Sequence, residues 1–266
     1  MFVISGNNTE SSGKHLDRAV STFKDARKAV ALTGAGISVG SGIPDFRSPG
    51  GLWSVFSPEE YATLEVFYNN PAKAWELYRA LGATLHGKTA NAAHEALANL
   101  EEQEQLSGII TQNVDNLHQK AGSRTVFEIH GDHQHLQCLQ CGMLEKVHQE
   151  HYRSSGVPRC LQCDFPLKPN VVLFGEAVRN FEAIESFILD CDLLLVIGTS
   201  AQVFPAAELP HTVKQNGGTI FEFNQEQTLS RGGFPGIGTI TDFFFQGDVV
   251  RTLPRLAQAL SLSRPL

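Results

Sequence analysis

Five short apolar runs, each stopped by a cluster of small polar residues, limit what this chain can fold into. Ala29-Val30-Ala31-Leu32 ends at Thr33-Gly34, Gly108-Ile109-Ile110 at Thr111-Gln112-Asn113, and Val126 to Ile129 at His130-Gly131. Leu193 to Ile197 ends at Gly198-Thr199-Ser200, and Thr219 to Phe223 at Asn224. Runs this apolar present no polar face to water, so they read as strands buried on both sides. The helical stretches between them, such as His15 to Lys28 with Leu16, Ala19, Val20 and Phe23 in register, make the sheet parallel. The expected fold class is α/β, built on a Rossmann-like parallel sheet. Ligands of such open sheets bind beyond the carboxyl ends of the strands, where every one of these polar clusters lies.

Two stretches break the alternation. Ser57 to Leu100 is helical in pattern, with Trp75, Tyr78, Leu81 and Leu85 along one face of a helix that can start at Pro71. Asp132 to Pro169 is polar and rich in His, Gln and Cys. We expect one domain over 1–266 with two lobes: a large lobe of about 1–48, 105–132 and 170–266, and a small lobe with a helical part, about 49–104, and a metal-binding part, about 133–169. The glycine-rich segment from Arg231 to Gly238 reads as a surface loop.

The metal-binding part rests on two knuckles, Cys138-Leu139-Gln140-Cys141 and Cys160-Leu161-Gln162-Cys163. Four thiolates at this spacing close a tetrahedral zinc shell and leave no open position, so the metal is structural. His133 and His135 read as loop histidines beside it, and Cys191 as an inert core thiol. Thiols paired in this way suit a reducing compartment better than a disulfide framework. Lys and Arg number 21 against 28 Asp and Glu, a formal charge of −7. A chain with no basic footprint is not expected to bind nucleic acid or an anionic membrane. Met1 to Ile4 is too short for a signal peptide, and Leu193 to Ile197 is far short of the ~20 residues that span a bilayer. We expect a cytoplasmic protein.

Gly34-Ala35-Gly36-Ile37-Ser38-Val39-Gly40-Ser41-Gly42 follows a predicted strand, as a dinucleotide-binding turn does, and lets backbone N–H groups approach a pyrophosphate. The spacing departs from G-x-G-x-x-G, whose third glycine would fall at Val39. No acidic residue closes a second strand about 20 residues further on. The loop therefore indicates a phosphate-bearing ligand but no ordinary dehydrogenase, with a turn serving packing alone as the alternative. Its continuation, Ile43-Pro44-Asp45-Phe46-Arg47-Ser48, supplies an acid, an aromatic and an arginine able to orient an amide, cover a ring and pair with a charge. His130 stands at a strand's carboxyl end with a side chain suited to proton transfer near neutral pH. His94 and His118 fall inside helical patterns, where a structural role is expected.

These elements, together with Thr111-Gln112-Asn113-Val114-Asp115-Asn116-Leu117-His118 and Pro169-Asn170-Val171-Val172-Leu173-Phe174-Gly175-Glu176, occur in order over about residues 30 to 250. In this the sequence resembles the sirtuin family of NAD-dependent protein deacylases, in its bacterial-type form. The resemblance implies a Rossmann-like lobe, a smaller zinc-plus-helical lobe, one structural zinc, and NAD and acyl-lysine entering a cleft from opposite sides. It implies His130 as catalytic base, and Asn113 and Asp115 as catalytic residues that hold the nicotinamide ribose and carboxamide, with Gln112 nearby. Gly34, Ala35, Gly36, Ile43, Asp45, Phe46 and Arg47 resemble the cofactor loop, Gly198, Thr199 and Ser200 the phosphate contacts, and Asn224 and Val249 residues around the adenosine. Phe174, Gly175, Glu176 and Val203 resemble positions that clamp a substrate peptide as an added strand. The implied reaction moves the acyl group to ADP-ribose, releasing nicotinamide and 2′-O-acyl-ADP-ribose.

Sirtuins that prefer succinyl or malonyl lysine carry Tyr-x-x-Arg in the helix lining the acyl pocket. Here the corresponding stretch reads Tyr78-Arg79-Ala80-Leu81, so Leu81 holds the arginine position, and Arg79, two residues before it, is turned about 200° to the other face of the helix. Tyr78 and Leu81 are thus expected to favour neutral acyl groups. Mono-ADP-ribosyl transfer on the same scaffold is the alternative activity, and a non-enzymatic zinc-ribbon module a more distant one.

Overall fold

The computed structural model describes residues 1–5, 10–45, 50–229 and 239–262. Its large sheet holds β1 (Phe2–Ser5), β2 (Ala29–Thr33), β3 (Ile109–Thr111) and β4 (Val126–Glu128). After the excursion into the second lobe it adds β8 (Leu193–Ile197), β9 (Thr219–Asn224) and β10 (Phe243–Gln246). The order is β1-β10-β9-β8-β2-β3-β4, with every neighbouring pair parallel. All five expected strands are present. β1 and β10 extend the sheet beyond them, and the aromatic run Phe243-Phe244-Phe245 and the apolar start Phe2-Val3-Ile4 are the signals that mark them.

Strand periodicity explains why the sheet has helices on both faces. Along β2, Ala29 and Ala31 enter one core while Val30 and Leu32 enter the other, and along β8 Leu193, Leu195 and Ile197 separate in the same way from Leu194 and Val196. Each fully buried Leu or Ile contributes about 1.5–3 kcal/mol, which holds the register against a one-residue slip. The first core is closed by α1 (Glu10–Asp25), through Ala19, Val20 and Phe23.

The helical insertion begins with α2 (Pro58–Tyr61), α3 (Leu64–Asn69) and α4 (Pro71–Leu85). Proline at the first helical position and the Asn70 side chain accepting from Lys73 N start α4 where the sequence reading put it. The expected lobe boundary near residue 104 is corrected here. Ala93, Ala96, Leu97 and Leu100 of α5 (Ala92–Glu102) lie in the same core as β2 and β8, so this helix covers the large sheet. Its apolar face is shaped for the sheet, a match that helical periodicity alone does not reveal.

α6 (Leu117–Ala121) follows β3, and the chain then leaves β4 for a three-stranded antiparallel sheet. Here β5 (Gly131–Cys138) is flanked by β6 (Leu144–Lys146) and β7 (Leu167–Val171), with α7 (Gln149–Arg153) between. This sheet makes His133 and His135 strand residues instead of loop residues. His133 is buried and stacks on Tyr152, and His135 Nδ1 sits 2.8 Å from Asp132 Oδ1. The zinc knuckles and α4 share one core, which includes Trp75, Tyr78, Leu136, Cys138 and Leu167. Trp75 also donates its indole N–H to Leu167 O at 2.8 Å. The chain returns to the large sheet through α8 (Phe181–Ile188) and α9 (Leu209–Gln215), and ends in α10 (Val249–Leu262), packed on α1 and α5.

Candidate functional site

Strand order reverses at β2: β3 and β4 continue to one side, β8, β9 and β10 to the other. At such a switch the following loops diverge and open a crevice at the strands' carboxyl ends. A cavity of about 580 Å³ lies there. The loops after β2 and β8 meet at its base with backbone against backbone. A Cβ placed on Gly36 would stand 2.7 Å from Gly198 Cα, so glycine is required by close approach. Gly36 N donates to Gly198 O at 2.8 Å, fastening one loop to the other.

Thr199 gathers the polar groups of this floor. Its hydroxyl accepts from Gln112 Nε2 at 2.9 Å and from Ala201 N at 3.1 Å, and its carbonyl accepts from Asn224 Nδ2 and Thr228 Oγ1. The loops after β2, β3, β8 and β9 are thereby locked into a single surface able to receive a long, polar, phosphate-bearing ligand. Gly34, Ala35, Gly36, Asp45, Gln112, Asn113, Gly198, Thr199, Ser200 and Asn224 all line the cavity. Ile43 and Val249 are buried in the protein and do not line it. Phe46 and Arg47 lie outside the described residues, as does the segment from Arg231 to Gly238.

Asp115 sits one layer behind the wall. Ser38 bridges it to the cavity: its hydroxyl donates to Asp115 Oδ2 at 2.6 Å and accepts from Asn113 Nδ2 at 3.2 Å. Asp115 Oδ1 accepts from Leu117 N, and Asn113 Nδ2 also reaches Gly34 O. A buried carboxylate satisfied in this way sets the orientation of an amide that does face the ligand. Ser38 was not among the expected site residues. Its place inside the glycine-rich motif was the available signal, but the contact joins residues 77 apart.

His130 lies at the cavity wall. Its Nδ1 is 3.1 Å from the Gln112 carbonyl, which fixes the proton on that nitrogen and leaves Nε2 with a lone pair. Burial lowers its pKa from the usual histidine value, against a smaller opposing effect of the Gln112 bond. The ring is therefore neutral at physiological pH and able to take up a proton. Gly131, next in sequence, has φ of 77°, and a Cβ there would fall 1.9 Å from Asn170 O, so glycine is needed beside the base.

Opposite the floor, the wall is apolar: Trp53, Leu77, Tyr78, Leu81, Val171 and Leu173. Arg79 points away as the helix geometry demands and donates to the carbonyls of Ser154, Ser155 and Gly156. Phe174, Gly175, Glu176 and Val203 line the mouth. Phe174 has no backbone group left for an added strand, because its N–H donates to Ala62 O and its carbonyl accepts from Leu64 N. Strand addition at this edge must use its neighbours. Glu176 is held from behind by Lys168, wholly buried, with Nζ 3.1 Å from Oε2, and by Arg179 Nη2 at 2.7 Å from Oε1.

Away from the cavity, the four knuckle sulfurs lie within 4.8 Å of one another, with Cys138–Cys163 at 3.4 Å and Cys141–Cys160 at 3.5 Å. A tetrahedral zinc with Zn–S of about 2.3 Å requires S–S edges of about 3.8 Å, so the donor set fits one structural zinc. The knuckles fold alike. Cys138 N donates to Met143 O and Gly142 N to Cys138 O, while Cys160 N donates to Phe165 O and Asp164 N to Cys160 O. Cys191 is buried and bonded to Leu193 O, with burial pushing its thiol up to about 12, as suits an inert core residue.

A model of the Sir2 family matches residues 34–205. The chain is 40% identical over 248 residues to an NAD-dependent protein deacylase of Thermococcus kodakarensis, covering 91% of this chain and 94% of that one. It is 44% identical over 207 residues to an NAD-dependent protein deacetylase of Sulfurisphaera tokodaii, covering 75% and 80%. Among solved structures, a Sir2 homologue in complex with ADP-ribose superposes with a TM-score of 0.85 at 35% identity, over 94% of this chain and 99% of that one. A Sir2 bound to a p53 peptide and NAD+ superposes with a TM-score of 0.79 at 32% identity, over 93% and 99%.

Proposed function

The chain belongs to the Sir2 family, and from that membership we propose that it is an NAD-dependent protein-lysine deacylase working in the cavity at the β2–β8 switch. The observation that carries the reading is the convergence there of a phosphate-type glycine floor with a neutral, tautomer-fixed histidine. NAD, when bound, supplies the electrophilic ribose carbon and the nicotinamide leaving group. The backbone of Gly34 to Gly36 and of Gly198 to Ser200 would hold its phosphates, and Asn224 the adenosine side. Asn113, oriented through Ser38 and Asp115, would hold the nicotinamide ribose and carboxamide. His130 Nε2 would accept the proton of a ribose hydroxyl, its Nδ1–H remaining on Gln112. Gly175, Glu176 and Val203 would hold the substrate backbone, with the acyl-lysine pointing at the apolar wall.

That wall sets the acyl class. Leu81 stands where a cation would be needed, and Lys168 is no substitute because Glu176 already pairs with it. A succinyl carboxylate would lose a charge-assisted bond worth about 1.5–3 kcal/mol, so neutral acyl groups are favoured at least about tenfold. Protein or peptide substrates follow from this edge. No helix among the described residues is long and apolar enough to cross a membrane, and thiolate knuckles suit the reducing cytoplasm, where we place the protein.

The test follows nicotinamide release and peptide mass for matched acetyl-, butyryl- and succinyl-lysine peptides with NAD+. One nicotinamide per deacylated lysine, with acetyl or butyryl ahead in kcat/KM, is expected. ADP-ribose label on protein without deacylation would establish the transferase instead, and a succinyl preference would overturn the acyl assignment alone.

A further inference from the structure

Glu222 is a buried carboxylate that the deacylation chemistry leaves unused. It interrupts the apolar run of β9 between Phe221 and Phe223, lies in register with Val196 of β8 and Phe244 of β10, and is only 1% exposed. Phe221 and Phe223 turn into the core closed by α1, so Glu222 stands on the opposite face of the sheet with Ile220, where Leu229 and Ile240 also pack. A charge in such a place is tolerated only where donors surround it. Oε1 accepts from Thr228 N at 2.6 Å, Thr228 Oγ1 at 2.9 Å and Leu229 N at 3.4 Å, and Oε2 accepts from Thr241 Oγ1 at 2.6 Å. These donors are neutral, and a carboxylate, which only accepts, answers each of them.

The loop that follows β9 forms part of the cavity: Asn224, Gln225, Glu226 and Thr228 line it, whereas Glu222 and Thr241 do not. The Thr228 hydroxyl is also 3.1 Å from Thr199 O, the carbonyl that accepts from Asn224 Nδ2, so its one proton lies between the carboxylate and the cavity floor. Without Glu222, Thr228 N would lose its acceptor and the loop its tie to the strand it leaves. Leucine would satisfy the core at this position and hold nothing, so the charge serves the loop and not the sheet. Resting on the reading of this cavity as an NAD site, we infer that Glu222 is a positioning residue for the dinucleotide, holding the loop of residues 224–228, through Thr228, in the shape that receives the adenosine half.

The test measures the Kd of ADP-ribose, together with kcat and the KM values for NAD+ and an acetyl-lysine peptide, in wild type and three variants. Glu222→Ala should raise the ADP-ribose Kd and the KM for NAD+ about tenfold, while the peptide KM and the kcat at saturating NAD+ stay close to wild type. Glu222→Gln should restore most of the affinity, because its amide oxygen still accepts from Thr228 and its NH2 can donate to Thr241 Oγ1. Thr241→Val removes one donor to the carboxylate from outside the cavity. It should weaken ADP-ribose about threefold, an effect that has to pass through Glu222. A glutamate needed only for folding would lower the Tm and disturb peptide and dinucleotide alike. Wild-type ADP-ribose affinity in Glu222→Ala, or a peptide KM that rises as much as the NAD+ value, overturns the proposal. Should the alanine variant fail to fold, Thr241→Val decides, and an unchanged ADP-ribose Kd there overturns it. If wild type binds ADP-ribose but deacylates no peptide, the deacylase reading fails separately and the Kd comparison still decides the role of Glu222. A wild type that binds no ADP-ribose ends both.

Discussion

The Gln112 carbonyl and the burial of His130 act on different properties of one ring. The first sets which nitrogen holds the proton, and the second lowers the pKa from its ordinary value of 6.5. A general base works deprotonated, so lowering the pKa extends activity toward acid. In a deacylase assay, the acid limb of kcat/KM should lie below pH 6.5, and a limb at or above that value would contradict the assignment. His130→Ala should reduce turnover about 10²–10⁴-fold without loss of fold. At this scale the motifs were legible: His130, Asn113 and the two loop glycines all line the cavity. Ser38 was not legible as a bridge between Asn113 and Asp115. A hydrogen bond between residues so far apart in sequence leaves no local pattern.

The knuckles are the element whose stability depends on a cation. Cys138 closes β5 and Cys160 lies beside Phe165, so both pairs are tied to the core that also holds Trp75 and Tyr78 of α4. Metal binding at such a site is folding free energy. Replacing Cys163 by Ala, or treating with a strong chelator, should lower the Tm and expose Trp75 to quenchers. A chelated protein that melts at the native temperature, with its tryptophans unchanged, would show the cluster to be dispensable. The spacing of the four cysteines was sufficient to identify this element. It did not reveal the antiparallel sheet beneath it, because the central strand β5 is mostly polar, as in His133-Gln134-His135, and carries no alternating apolar signature. α5 illustrates the reverse case. Its helical period was clear, but the partner of its apolar face was not, since one stripe of Ala and Leu fits either lobe.

For the molecule as a whole, buried titratable groups set a pH window. Burial lowers His94 to about 4, His118 to about 3 and His133 to about 4, so the folded chain stays unprotonated where the unfolded chain takes up protons. Their stabilisation is complete above the unfolded value of 6.5 and is lost as pH falls toward the folded values. Glu128 opposes them: burial raises it to about 7, so the folded state holds its proton more tightly and gains as pH falls. At about 1.4 kcal/mol per group per pH unit, these three histidines against one glutamate leave a net loss of about 3 kcal/mol between pH 7 and pH 5, and His130, lowered by burial as well, adds to it in the same direction. Urea unfolding at the two pH values measures it, and a stability that stays level or rises toward pH 5 would refute the balance.

The sequence by itself determined the class of fold, the zinc site and most of the cavity's lining. Each of these is written in local patterns: five apolar runs with polar ends, two knuckles, and a glycine loop continuing into Asp45. Periodicity and spacing act over a few residues, and they survive in any arrangement that buries them. The tertiary structure alone decided which of these patterns meet. Strand order placed the switch between β2 and β8, so that Gly36 touches Gly198 and Gln112 reaches Thr199. Packing placed Val249 in the core under the large sheet, and left the Tyr78 hydroxyl buried without a hydrogen-bond partner among the described residues. Those outcomes depend on the shape of surfaces far apart in the chain, and no stretch of sequence encodes them locally.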